Sequence, residues 1–270
     1  MNKPYHVWTS PHAPVWGQAF RPLFLLGALF SAGAVLVWGL WLNGLIERAP
    51  FDNPIFWHSH EMMFGFVGAI ITGFLLTAVQ NWTGLRALNG LKLQLLVGVW
   101  VAARVAIVFA TPEYVLLAAL MNVVFFGLAA FSMGQLLFKA RNTRNYFFIP
   151  ALLGLGALSG LSHYGVAANS AAIHQGAMYA AVLLISQMIM IVGGRVIPMF
   201  TASGTGTERI KPARWLNVSL YVASWLSIPM VVLGIYEAAF RPVAALILVV
   251  ACLANAARIA SWCRAEIWAV

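Results

Sequence analysis

Residues 58–79 read HSHEMMFGFVGAIITGFLLTAV, and after Glu61 no charged residue occurs until Arg86. That run decides the fold. About 20 apolar residues at about 1.5 Å per residue match the roughly 30 Å hydrocarbon core of a bilayer. In lipid every backbone N–H and C=O needs an internal partner, so only helices or a closed barrel can span it. Barrel strands are about half as long and alternate in polarity, which this run does not. The whole sequence agrees: 62 % of its 270 residues are hydrophobic and 9 % are charged. A soluble domain carries about 25 % charged residues, so lipid is the solvent that suits this composition.

Seven further runs of the same kind predict an all-α, polytopic transmembrane helix bundle with about eight spans. The eight spans fall at 23–46, 58–79, 91–110, 114–138, 146–165, 173–197, 215–236 and 242–262, with Pro, Gly, Asn or charge at most junctions. Residues 1–270 read as one transmembrane domain. Residues 1–19 form a tail without an apolar core, containing Pro4, Pro11 and Pro14, so no signal peptide is expected. Cys252 and Cys263 have no spacing motif, which argues neither a disulfide framework nor a zinc site.

The formal charge is +9, yet the basic residues lie in short loops between spans. They are topology signals, not a nucleic-acid surface. One face collects Lys3, Arg21, Arg86, Lys92, Lys139, Arg141, Arg144, Arg209, Lys211, Arg214 and Arg264. The other has Arg48 and Arg241 beside Glu47, Asp52, Glu113 and Glu237. Short cytoplasmic loops carry the Lys/Arg excess, which places the N-terminus inside.

This topology sorts the histidines. His6 and His12 fall in the tail. His58, His60, His163 and His174 all fall near the outer ends of spans, at similar depth. Imidazole is the commonest metal ligand and the usual axial ligand of haem, and bundles build such sites from facing helices. His58 and His60 stand about 200° apart on a helix and so serve two different places. Small residues lie beneath each histidine, among them Gly65 and Ala69, Gly156 and Ser159, and Ala177 and Ala181. They would leave room for a flat ring, or they are the ordinary device for close helix packing in lipid. Glu61 and Arg104 are costly inside spans and should face protein. Glu61 would accept from a histidine N–H, relay protons or sit in the interface. Arg104 would pair with Glu61, with a backbone carbonyl or with an anionic cofactor group. Arg195, in Gly193-Gly194-Arg195-Val196-Ile197-Pro198, reads as a snorkelling arginine where Pro198 ends or kinks the helix.

Four stretches in order carry a family resemblance. They are Ala19-Phe20-Arg21-Pro22-Leu23-Phe24, then WHSHEMMFGF at 57–66, GFLLTAVQNWTG at 73–84 and GGRVIPMFT at 193–201. Together they resemble the NnrS family of membrane proteins. The resemblance covers essentially all of this chain and roughly the N-terminal two-thirds of the longer family pattern. It implies a multi-pass protein of the bacterial inner membrane that contains haem b and copper. It also implies a role in the nitric oxide response, denitrification and relief of nitrosative stress. On that basis His58, His60, His163 and His174 are the expected ligands, with Glu61 and Arg104 in support. The expected partners are membrane lipid and nitric oxide or iron-nitrosyl species. The competing reading is a metal-free membrane transporter or channel, with Glu61 and Arg104 lining a pathway. Family members usually continue beyond the point where this chain stops, so a fragment, a truncated product or a short variant is expected.

Overall fold

The computed structural model describes residues 10–46, 53–109, 115–209 and 213–263. Eight helices among them are long and apolar enough to cross a membrane, and the described residues contain no strand. They are α1 (Phe20–Leu42), α2 (Pro54–Thr83), α3 (Gly90–Phe109), α4 (Val115–Lys139), α5 (Phe148–Ala167), α6 (Ala171–Thr205), α7 (Arg214–Tyr236) and α8 (Arg241–Ala260).

Two helices differ from the sequence expectation for local reasons. Helix α2 begins at Pro54, a turn before His58, because the Asn53 side chain accepts from Phe56 N at 3.1 Å and Pro54 occupies the first turn. It ends where Gly84 takes a left-handed conformation (φ +70°) and returns its N–H to Gln80 O. Helix α6 runs for 35 residues through Pro198, about 52 Å at the helical rise. Pro198 therefore does not end the helix; proline is tolerated in membrane helices because neighbouring groups satisfy the freed backbone.

The centre of α2, Glu61–Val67, is a π-helical turn. Its wider hydrogen-bond step breaks the four-residue spacing that an ideal helix would give these side chains.

The chain packs as two compact units, Met1–Met178 and Tyr179–Val270. In the first, Ala34, Phe56, Trp57, Ile107, Val115 and Ala118 from α1 to α4 form one buried cluster. Glycine lets the helices approach. A Cβ on Gly27 would stand 3.4 Å from Ala69 Cβ, and one on Gly73 would stand 3.1 Å from Leu23 Cβ, which joins α1 to α2. A Cβ on Gly156 would lie 3.2 Å from Phe126 Cβ, which joins α4 to α5. The outward faces are apolar: Leu29, Leu36 and Phe131 are 63 %, 62 % and 63 % exposed, as lipid-facing side chains should be.

In the second unit Arg241 Nε donates to Gly234 O at 2.9 Å, closing the turn between α7 and α8. Arg258 on α8 is buried, donates to Met190 O on α6 at 2.9 Å, and lies 5.2 Å from the Trp262 ring.

Gly98 and Gly127 have open space where a Cβ would go. Gly98→Ala and Gly127→Ala should therefore leave thermal stability in detergent unchanged or raise it, by up to about 1 kcal/mol each. A clear drop in melting temperature for either would show that these faces are packed.

Candidate functional site

Helix α2 brings His60 and Glu61 into the interior of the first unit, and both side chains have no exposed surface. The His60 Nδ1–H donates to Glu61 Oε1 at 2.9 Å. The other carboxylate oxygen, Oε2, forms an ion pair with the Arg104 guanidinium of α3 at 3.0 Å. Arg104 also donates through its other terminal nitrogen to Asn122 Oδ1 on α4, and Asn122 Nδ2 donates in turn to Ala118 O. Charge buried in lipid is tolerated when it is paired and hydrogen-bonded, and this chain of contacts runs across three helices. Trp100 Nε1 donates to Gly65 O at 3.0 Å within the π-helical turn, tying α3 to α2 beside the ion pair. Arg104 thus has Glu61 as its partner, one of the three expected from sequence.

Ser159 of α5 holds two imidazoles. Its hydroxyl lies 2.9 Å from His60 Nε2, and its backbone carbonyl accepts the His163 Nδ1–H at 2.8 Å. The His60 and His163 rings meet edge to face with centroids 4.3 Å apart. His163 is fully buried and its Nε2 has no hydrogen-bond partner. Each of these histidines therefore has Nδ1 engaged by an acceptor, which leaves the lone pair on Nε2; that of His163 has no partner, and that of His60 accepts from the Ser159 hydroxyl. That is the state in which an imidazole binds a metal, with its second nitrogen oriented by a carboxylate or carbonyl.

His174 of α6 stands close by, with Nδ1 2.9 Å from Ser162 Oγ and Nε2 3.3 Å from Ser59 Oγ. Phe56 touches all three rings, at centroid distances of 5.5 Å to His60, 5.4 Å to His163 and 5.3 Å to His174. A cavity of about 370 Å³ opens beside His174 and Phe56, with Asn53, Asn169, Ser170 and Gln175 on its wall.

His58 goes elsewhere. It stacks on Trp38 of α1, with ring centroids 4.4 Å apart and planes 14° from parallel. The divergence from His60 is what the 200° separation predicts. Of the six residues singled out in the sequence, the structure gathers His60, Glu61, Arg104 and His163, sets His174 against the same phenylalanine, and places His58 on the α1 side. No three His, Cys, Asp or Glu side chains among the described residues converge on one metal position.

Beneath His60 and His163 the glycines do not leave a slot for a flat ring. A Cβ on Gly65 would fall on the Arg104 guanidinium and 2.9 Å from Phe30 Cε1. One on Gly68 would lie 2.8 Å from Phe126 Cζ, and one on Gly160 would lie 3.4 Å from Val123 Cγ2. These seams are filled by neighbouring side chains, which is the packing alternative.

Asn122, Ser159, Ser162, Trp100 and Phe56 were not assigned contacts from sequence. Asn122 alone had a signal: an amide in the middle of an apolar span demands a polar partner.

A family model described as NnrS protein matches residues 14–270. No curated protein and no solved structure matches the chain.

Proposed function

This chain belongs to the NnrS family, whose members are membrane proteins of the nitric oxide response, and from that membership and the imidazole geometry we propose that it holds copper at His60 and His163. The observation that carries the proposal is the buried, partnerless Nε2 of His163, whose ring meets that of His60 edge to face with centroids 4.3 Å apart. Imidazole nitrogen suits copper. Glu61 orients the His60 ring and raises its basicity, and the Ser159 carbonyl does the same for His163. Arg104 fixes Glu61. His174 packs on Phe56, which also touches both rings of the pair, and lines the cavity of about 370 Å³.

Copper held by these two imidazoles would supply one-electron chemistry. The chain's own residues orient the two rings, keep bulk water from them and hold the proton on each Nδ1. The inner membrane, with the N-terminus in the cytoplasm, is the location that accords with the basic-loop bias. The haem expected from the family resemblance does not fit the seams beneath the histidines, since Arg104, Phe30, Phe126 and Val123 occupy them. No step is assigned to it. The metal-free transport reading loses its main support, because Glu61 and Arg104 are buried and bound to each other.

The test is metal analysis of the detergent-purified chain after copper loading and washing. Wild type should retain copper, and His163→Ala and His60→Ala should each reduce retention by at least about tenfold. His12→Ala, in the tail, should retain it. Equal retention by all four proteins would refute the assignment.

A further inference from the structure

A second cavity in the first unit lies away from His60, His163 and His174, at the opposite end of its helices. It measures about 790 Å³ and is walled by four separate segments. These are the N-terminal segment at Pro11–Gly17, the start of α1 at Arg21, the loop and first turn of α3 from Arg86 to Lys92, and α4 at Ser132, Gln135 and Leu136.

Its lining is one-signed. Arg21, Arg86 and Lys92 contribute three positive charges, and no Asp or Glu among the described residues lines it. Neither Arg86 nor Lys92 has a carboxylate partner among the described residues. Three cations facing one space without an anion repel each other, and a bound anion relieves that repulsion. The first turn of α3, which begins at Gly90, directs its free N–H groups and the positive end of its dipole to the same side.

The wall is also fixed in place. Arg21 donates through NH1 to Pro14 O at 2.6 Å, which pins the Pro14–Gly17 turn to α1 and leaves the rest of the guanidinium to face a ligand. Gly90 (φ +55°) lets Pro11 pack against the start of α3, since a Cβ there would stand 3.3 Å from Pro11 O. Ala13 is 5 % exposed beneath this fold-back. Arg21 belongs to a sequence motif that the histidine site leaves unused.

We propose that this cavity binds a phosphate ester, with Arg21, Arg86 and Lys92 on its phosphate oxygens. A phosphate offers several acceptor oxygens and up to two negative charges, which three cationic donors match better than one carboxylate does. The volume exceeds that of inorganic phosphate and falls in the range of pockets for small organic ligands, so the phosphate carries an organic body. The pocket sits at the ends of the spans, on the side of the basic loop residues. The glycerophosphate group of an anionic phospholipid and a soluble glycerophosphate present the same chemistry there.

Native mass spectrometry of the detergent-purified full chain distinguishes the two sources. The probes are phosphatidylglycerol, phosphatidylcholine and glycerol 3-phosphate. Wild type should retain phosphatidylglycerol over phosphatidylcholine by about tenfold or more, and the double variant R86Q/K92Q should lose that preference. The double variant R141Q/R214Q removes the same charge from exposed positions outside the cavity and should keep it. Retention of glycerol 3-phosphate without a lipid preference, abolished by R86Q/K92Q, supports the pocket with a soluble ligand. The proposal is overturned if phosphatidylglycerol is not preferred over phosphatidylcholine and glycerol 3-phosphate is not retained, or if R141Q/R214Q loses binding as fully as R86Q/K92Q.

Discussion

Arg104→Met lowers the unfolding free energy of the detergent-solubilised chain by about 3–5 kcal/mol, while the double variant E61L/R104M recovers most of that loss. The asymmetry follows from burial. Glu61 has no exposed surface and the Arg104 side chain has 6 %. Removing the arginine strands a buried carboxylate where Phe30 and Trp100 had flanked the guanidinium, with only the His60 Nδ1–H left to it. It also leaves Asn122 Oδ1 without its donor. An uncompensated buried charge costs far more than a missing ion pair, because desolvation of the remaining charge is no longer offset. When both charges are replaced by apolar groups of similar size, that penalty disappears. Denaturant titration of the wild type, both single variants and the double gives the coupling energy directly. If R104M lies within about 1 kcal/mol of wild type, or the double is no more stable than R104M, the pair does not organise this interior.

The same residues show how far sequence reaches. Apolar length alone placed all eight spans, because lipid admits so few backbone solutions. The cost of charge in lipid pointed Glu61 and Arg104 toward protein, and they meet. What could not be read was how α2 turns between them. The sequence leaves open which histidine, if any, Glu61 accepts from, and the π-helical turn at Glu61–Val67 has no sequence signature; in the structure the carboxylate takes the Nδ1–H of the adjacent His60. The glycines were ambiguous for a different reason. Gly65 and Gly156 would look the same beside a porphyrin or beside a packed helix, and only the position of Arg104 and Phe126 decides. Ser159 was visible as a small residue, yet its use of hydroxyl and carbonyl to hold two imidazoles depends on the approach of α2 to α5. Arg258 escaped because an arginine near the end of a span usually snorkels, whereas here Met190 O and Trp262 receive it inside the second unit.

Gly65→Ala tests whether the ion pair and the imidazoles act as one assembly. A Cβ at this position would fall on the Arg104 guanidinium, 2.9 Å from Phe30 Cε1 and 3.1 Å from Glu61 Oε2. Arg104 cannot retreat freely, since Asn122 holds its other terminal nitrogen, and the Gly65 carbonyl is held by Trp100. The expected cost is about 1–3 kcal/mol, as for an overpacked core, in contrast with the neutral or favourable Gly98→Ala on the open face of α3. Displaced Glu61 would also release the His60 Nδ1–H, and loss of such an orienting acceptor weakens metal binding by about tenfold to a hundredfold. Copper retention and unfolding should therefore fall together in this variant, even though Gly65 touches neither histidine. A variant that loses stability but binds copper as wild type does would mean that the His60 ring is oriented by Ser159 alone, and the link from Arg104 through Glu61 to the imidazole would have to be abandoned.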